Sequence, residues 1–166
     1  MEKEGLSNIY IASVLNRCKL KHYRGIFSCN NIPTKICRLQ KFSIICNLDR
    51  EGERGSHFIA IVGHPEEIEY IDPLGLPCFN KDLANFMRKC LQTVKKRVIK
   101  TNTVPFQHPL SSFCGFYTML TVLFYDDNAP KKIAIKFSKD DLWKNDTLCI
   151  DYICQLINYY LSKTNK

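Results

Sequence analysis

Between Phe42 and Asp72 the chain presents three short apolar, β-branched runs: Phe42-Ser-Ile-Ile-Cys-Asn-Leu48, His57-Phe-Ile-Ala-Ile-Val62 and Ile68-Glu-Tyr-Ile-Asp72. Glycine and charged residues from Asp49 to Gly55 separate the first two, and Gly63-His-Pro-Glu-Glu67 separates the last two. Runs of this kind between turn-forming segments read as strands, and consecutive antiparallel pairing is their simplest topology. The second run is apolar on both alternating faces, which predicts a central strand covered by helices on at least one side.

Helical periodicity surrounds this sheet. Ser7 to Leu20 places Tyr10 and Val14 at near-helical spacing with Ile11, Leu15 and Cys18 beside them, so an amphipathic helix capped by Ser7 is expected. Tyr23-Arg-Gly-Ile-Phe leads into a polar loop, Cys29 to Pro33. After Pro73-Leu-Gly-Leu-Pro77 breaks the third strand, Lys81 to Gln92 reads as a short helix and Val94 to Ile99 as another strand. The stretch from Val104 to the serines before Phe113 is loop-like. Phe116 to Tyr125 is strongly apolar, reads as a buried helix, and stops at Asp126-Asp-Asn-Ala-Pro130. Cys149, Tyr152, Ile153, Leu156, Ile157 and Tyr160 then form one stripe of a last amphipathic helix. No repeat or linker interrupts the pattern, so residues 1–166 are expected to form a single α+β domain with a sheet flanked by helices.

Composition narrows the function classes. With 45% hydrophobic and 24% charged residues in 166, a real core is expected. No run approaches the length of a membrane helix, and the first residues lack a signal-peptide core, which points to an intracellular, reducing setting without membrane association. The nine cysteines agree with that setting: their number is odd, their spacing forms no disulfide framework, and most are expected to be buried small apolar residues. No C-x-x-C pair exists and the four histidines lack zinc-type spacing, so no metal is expected. A net charge of +8 biases the surface toward polyanions such as DNA. The basic clusters, Lys95-Lys96-Arg97 and Lys131-Lys132 with Lys136, are not interleaved with aromatics, and solvated faces are the simpler reading of them.

One constellation carries chemistry. A thiol attacks a carbonyl as thiolate, and at its ordinary pKa of ~8.5 only about 3% is ionised near neutral pH. Cys114 is expected in the first turn of the buried helix, where unsatisfied N–H groups favour negative charge, and Gly115 would leave room for a substrate backbone. His57 opens the central strand and Asp72 ends its neighbour. In antiparallel strands those two positions meet at one edge of the sheet, so the carboxylate accepts from one ring nitrogen and the other faces the thiol. His64 and His108 have no equivalent arrangement and read as surface or loop residues, while Glu67 and Glu69 alternate to the face opposite Asp72. Gln107 precedes Cys114 by a loop long enough to fold back, so its amide and the Cys114 N–H are candidate oxyanion donors.

The ordered set Gly55-Ser-His57-Phe, Tyr70-Ile-Asp72-Pro-Leu-Gly75 and Gln107-x6-Cys114-Gly115 resembles the adenain-like cysteine proteases and their relatives among the ubiquitin-like-protein proteases. Tyr23-Arg-Gly-Ile-Phe-Ser-Cys-Asn-Asn-Ile-Pro33 also looks like the segment before the histidine in that family, so the likeness spans roughly residues 6 to 126. It departs at Phe58, where the family usually has tryptophan, and at Asp72, where adenain has glutamate. The resemblance implies a papain-like core with a central mixed or antiparallel sheet of about five strands. It also implies the order base, acid, glutamine, nucleophile: His57, Asp72, Gln107, Cys114. It further implies cleavage after glycine in viral precursor proteins, in the host nucleus and the virion, by a protein expected to be monomeric. Stimulation by DNA fits the charge. A covalent peptide cofactor does not, because Cys90 lies upstream of the matching place. The other readings are an isopeptidase acting on ubiquitin or SUMO, and a non-catalytic basic module binding nucleic acid.

Overall fold

The computed structural model describes residues 6–95, 98–130 and 134–164. It is an α+β structure built on one five-stranded mixed sheet in the order β1-β2-β3-β4-β5. The strands are β1 (Tyr23–Ser28), β2 (Phe42–Asn47), β3 (Phe58–Gly63), β4 (Glu67–Ile71) and β5 (Val98–Thr101). The three runs from Phe42 to Asp72 pair antiparallel as expected, with Ala60 of β3 opposite Ile45 of β2 and Ile71 of β4. The two outer strands run parallel to their neighbours. β1 is a strand where the sequence indicates only the approach to a loop, and β5 starts at Val98 rather than at the expected Val94.

Every residue of β3 is buried, because helices cover both sides of the sheet. On one side Ile59 and Ile61 of β3, with Ile68 and Tyr70 of β4, pack against Leu83, Phe86, Met87 and Cys90 of α2 (Lys81–Val94). Those four helix residues recur at i, i+3, i+4 and i+7, and Asn80 caps the helix by accepting from the Leu83 N–H at 3.1 Å. The helix ends at Lys95, which adopts φ +52°, and its last turn absorbs Val94. Lys96, Arg97, Lys131 and Lys132 of the basic clusters lie outside the described residues.

On the other side lies α3 (Cys114–Tyr125), flanked by α1 (Asn8–Arg17) and α4 (Leu142–Thr164). Ser7 caps α1 through a 3.3 Å bond from the Tyr10 N–H. The buried stripe of α1 is Ile11, Leu15 and Cys18, while Tyr10 is turned outward. Removing the side chain of a fully buried Leu15 to alanine costs about 2–5 kcal/mol in comparable cores. The α4 stripe buries Asn145, Cys149, Ile153, Leu156 and Tyr160, one residue set longer than its apolar pattern indicates.

Gly115 has a different role from the one expected of it. It is buried, and a Cβ there would lie 3.1 Å from Ile11 Cδ1 and 3.2 Å from Leu6 Cβ. Its bare backbone lets α1 settle on the first turn of α3; it faces the core rather than a substrate. All nine cysteines are free thiols; six are buried, Cys78 and Cys114 are half-buried, and Cys154 is exposed. Among the described residues no helix is long and apolar enough to cross a membrane.

Candidate active site

The β3–β4 register dictates where two of the predicted residues go. Ala60 lies opposite Ile71, so Asp72 falls opposite Ile59, and His57 sits two residues further along on the same face. Diagonal same-face neighbours are within reach of long side chains. His57 Nε2 and Asp72 Oδ1 are 2.8 Å apart. A carboxylate only accepts, so Nε2 carries the proton and Nδ1 is left for the third partner. That partner is Cys114, which lines the same cleft and acts on the same imidazole.

Burial alone would push the His57 pKa down. The hydrogen bonds with Asp72 and Cys114, and the charges of both, outweigh it and raise the group to about 9. Asp72 is 1% exposed, and its Oδ1 also accepts from the Leu74 N–H at 2.8 Å. Two donors on one buried oxygen hold the carboxylate in a single orientation. The Asp72 main chain is gripped as well: its N–H donates to Asn102 Oδ1 at 2.8 Å, and its carbonyl accepts from Asn102 Nδ2 at 2.7 Å.

Cys114 is the first residue of α3, two positions earlier than the apolar run indicates. Phe113 occupies the cap without a side-chain hydrogen bond, and its carbonyl takes the Phe116 N–H at 2.9 Å, so the Cys114 and Gly115 N–H groups are the ones that face the thiol's side of the helix end. Gln107 is 2% exposed, and its Nε2 donates to the Ser111 carbonyl at 2.6 Å. The opposite amide orientation would set two oxygens against each other. Ser111 is braced in turn by α4: its hydroxyl donates to Asp146 Oδ2 at 2.8 Å, and the Tyr117 hydroxyl donates to Asp146 Oδ1 at 2.9 Å. Asn145, fully buried, donates to the carbonyl of Phe106 at 2.9 Å, immediately before Gln107.

His57, Gln107 and Cys114 line one open cleft of about 740 Å³, with Asn47, Arg54 and Leu74 among its other walls. The structure therefore brings together all four residues singled out in the sequence. A smaller, more apolar cavity of about 430 Å³ lies between β4, β5 and α3, lined by Ile71, Phe106, Leu120 and Phe124, and reaches neither His57 nor Cys114.

The other histidines differ from expectation. His64 does have a carboxylate partner: its Nε2 is 3.1 Å from Glu69 Oε1, because the turn after β3 folds its ring back over the face of β4 that carries Glu69. Glu67, Glu69 and His64 bring their ligand atoms within 4.8 Å of one another. Glu67 is paired with Lys100, and Glu69 with the Tyr125 hydroxyl at 2.9 Å. His108 stacks on Trp143 at 4.0 Å. Asn102, Asn145 and Asp146 carried no signal in the sequence: each acts on a main-chain group or a hydroxyl remote in sequence, which no spacing announces.

No protein-family profile matches the chain, and no curated protein matches it by sequence. Solved structures do match. The ASFV pS273R protease aligns over 88% of this chain and 68% of its own, with a TM-score of 0.56 and 18% identity. The central domain of Lpg1148 from Legionella pneumophila aligns over 99% of this chain and 100% of its own, with a TM-score of 0.51 and 13% identity. The effector RavZ of the same bacterium covers 77% of the chain and 42% of its own at a TM-score of 0.39, too low to argue from. The chain thus has an α+β fold shared with a viral protease, a five-stranded mixed sheet flanked by helices.

Proposed function

We propose that the chain is a cysteine endopeptidase. Cys114 is the nucleophile, His57 its general base and then the acid that protonates the leaving amine, and Asp72 the residue that holds the imidazole in the productive tautomer. The observation that carries the reading is the joint placement of an imidazole 2.8 Å from a buried carboxylate and, in the same cleft, of a thiol at the N-terminus of a helix. The Cys114 sulfur attacks the substrate carbonyl. The resulting oxyanion is met by the Cys114 N–H and by the second amide hydrogen of Gln107, the first being committed to Ser111. Collapse expels the amine with the His57 proton and leaves an acyl-enzyme, which water hydrolyses with His57 as base.

The substrate class follows the family likeness: peptide bonds after glycine in viral precursor proteins, inside the infected cell and the virion, with DNA as a stimulating polyanion for a protein of charge +8. Neither a metal nor a covalent peptide cofactor is needed for this chemistry. A second reading, removal of a ubiquitin-like modifier, is favoured by Ile9 at the cleft and Leu110 near it, both 83% exposed, apolar enough to seat a folded substrate. Purified protein incubated under reducing conditions with glycine-containing precursor peptides, with and without DNA, should cleave after glycine, and the Cys114→Ala variant should not. Absence of cleavage in both conditions would count against the endopeptidase. Covalent capture by ubiquitin- or SUMO-derived electrophiles would select the second reading.

A further inference from the structure

The parallel ladder between β4 and β5 ends at the pair Tyr70–Thr101. Beyond it β5 departs, and the Asp72 backbone would lose its partner strand. A side chain replaces that strand. Asn102 Oδ1 accepts from the Asp72 N–H at 2.8 Å, while its Nδ2 donates to the Asp72 carbonyl at 2.7 Å and to the Val104 carbonyl at 3.3 Å. The amide orientation is unambiguous, because an N–H must meet oxygen and two carbonyls must meet nitrogen. The same Asp72 carbonyl also accepts from the Gly75 N–H at 2.9 Å, and the Pro73 carbonyl accepts from the N–H groups of Phe106 and Gln107, both at 3.0 Å. The segment 72–75 and the segment 102–107 are thus stitched together, and Asn102 forms the stitch at the acid itself.

We propose that Asn102 is a positioning residue of the acid–base pair, its side-chain amide gripping both main-chain polar groups of Asp72 and so setting the direction from which the carboxylate meets His57. The inference rests on the reading of Cys114, His57 and Asp72 as peptidase machinery. Asn102 itself touches neither substrate nor the reacting atoms. Its effect passes through the Asp72 backbone to Oδ1, and from there to Nε2 of His57. An imidazolium whose carboxylate partner swings loose loses the hydrogen bond that favours its charged form.

The discriminating measurement is the titration of the His57 ring, followed by NMR of histidine-labelled full-length protein, in the wild type and in Asn102→Ala, Asn102→Leu and Asn102→Gln. Leucine keeps the volume and removes the amide; glutamine keeps the amide one methylene out of place. Besides Asp72 and Cys114, the charged groups lining the cleft beside His57 are Arg50, Glu53 and Arg54, and none of them is a hydrogen-bond partner of Asn102. The titration is expected to fall from about 9 toward the ordinary value of about 6.5 in the alanine and leucine variants, and by less in the glutamine variant. Each unit of that fall should lower kcat/KM about tenfold on the alkaline side, in kcat rather than KM. Thr103→Ala, an exposed neighbour, should change nothing. A folded leucine or alanine variant with reduced melting temperature but an unmoved His57 titration would overturn the proposal, since packing alone would then explain Asn102. A titration that moves with Asn102 in a protein that cleaves no peptide would sink the peptidase reading and leave the positioning role standing.

Discussion

The β3–β4 hairpin carries a histidine–carboxylate pair at each end, and only one of them is equipped for catalysis. At the open end His57 meets Asp72 at 2.8 Å; at the turn end His64 meets Glu69 at 3.1 Å. Helix α3 runs the length of the same hairpin, so its two termini face the two pairs. Its N-terminus brings Cys114 and unsatisfied N–H groups to His57, whereas its C-terminus brings Tyr125, whose ring lies 5.7 Å from His64 and whose hydroxyl occupies Glu69. Burial differs too: the Asp72 side chain is 1% exposed and that of Glu69 is 22%. A carboxylate beside an imidazole is common. What separates the two ends is the polarity of the helix laid across them and a thiol placed at its positive terminus.

The largest expected contrast is at the reacting groups. Cys114→Ala and His57→Ala should each lower kcat by about 10⁴-fold or more, while His64→Ala should stay within about twofold. A comparable loss from His64→Ala in a folded variant would break the distinction between the ends. Asp72→Asn presents a donor to Nε2, inverts the tautomer and should cost up to about 10⁴ in kcat. Gln107→Ala should cost about 10²–10³, again in kcat, by removing one oxyanion donor.

Next comes pH. His57 is raised from about 6.5 to about 9, so its proton is retained across neutral pH and the alkaline fall of kcat/KM should come as pH climbs through about 9. The same shift stabilises the fold: that contribution is complete below about pH 6.5 and is lost as pH rises through about 9. Denaturant unfolding of wild type and His57→Ala at several pH values should therefore converge toward alkaline pH, and parallel curves would contradict the raised value. The smallest effect belongs to Glu69→Gln. Hydrogen bonds with His64, burial working the other way, and the Tyr125 hydroxyl leave its carboxyl below the usual range. The pair is partly exposed, so unfolding should register no more than about 1 kcal/mol, and turnover nothing.

Much of this architecture is legible in the amino-acid sequence. The strands β2, β3 and β4 announce themselves because buried β-branched runs bounded by turns have few other fates. β1 does not: Tyr23–Ser28 is an edge strand, half-exposed, with Gly25 at φ +129°, and its partner lies parallel across a long connection. Val94 reads as the start of a strand and belongs to α2, because an apolar residue at a helix end looks the same as one at a strand start. His57, Asp72 and Cys114 are chemically distinctive residue types at strand and helix ends, Gln107 lies in the loop between β5 and α3, and His57, Gln107 and Cys114 meet at the cleft with Asp72 behind the imidazole. Asn102 and Asn145 are common amides whose partners are main-chain groups, so only the folded backbone reveals what they hold. His64 misleads in the opposite direction, since the turn after β3 folds its ring back onto the carboxylate of Glu69 in β4.

The distribution of thiols has a practical consequence. Six of the nine are enclosed by the core, leaving Cys78, Cys114 and Cys154 within reach of solvent. Replacing Cys78 and Cys154 with serine would leave a single addressable sulfur, so the mass added by one alkylating reagent would count competent molecules directly, independent of any knowledge of the substrate.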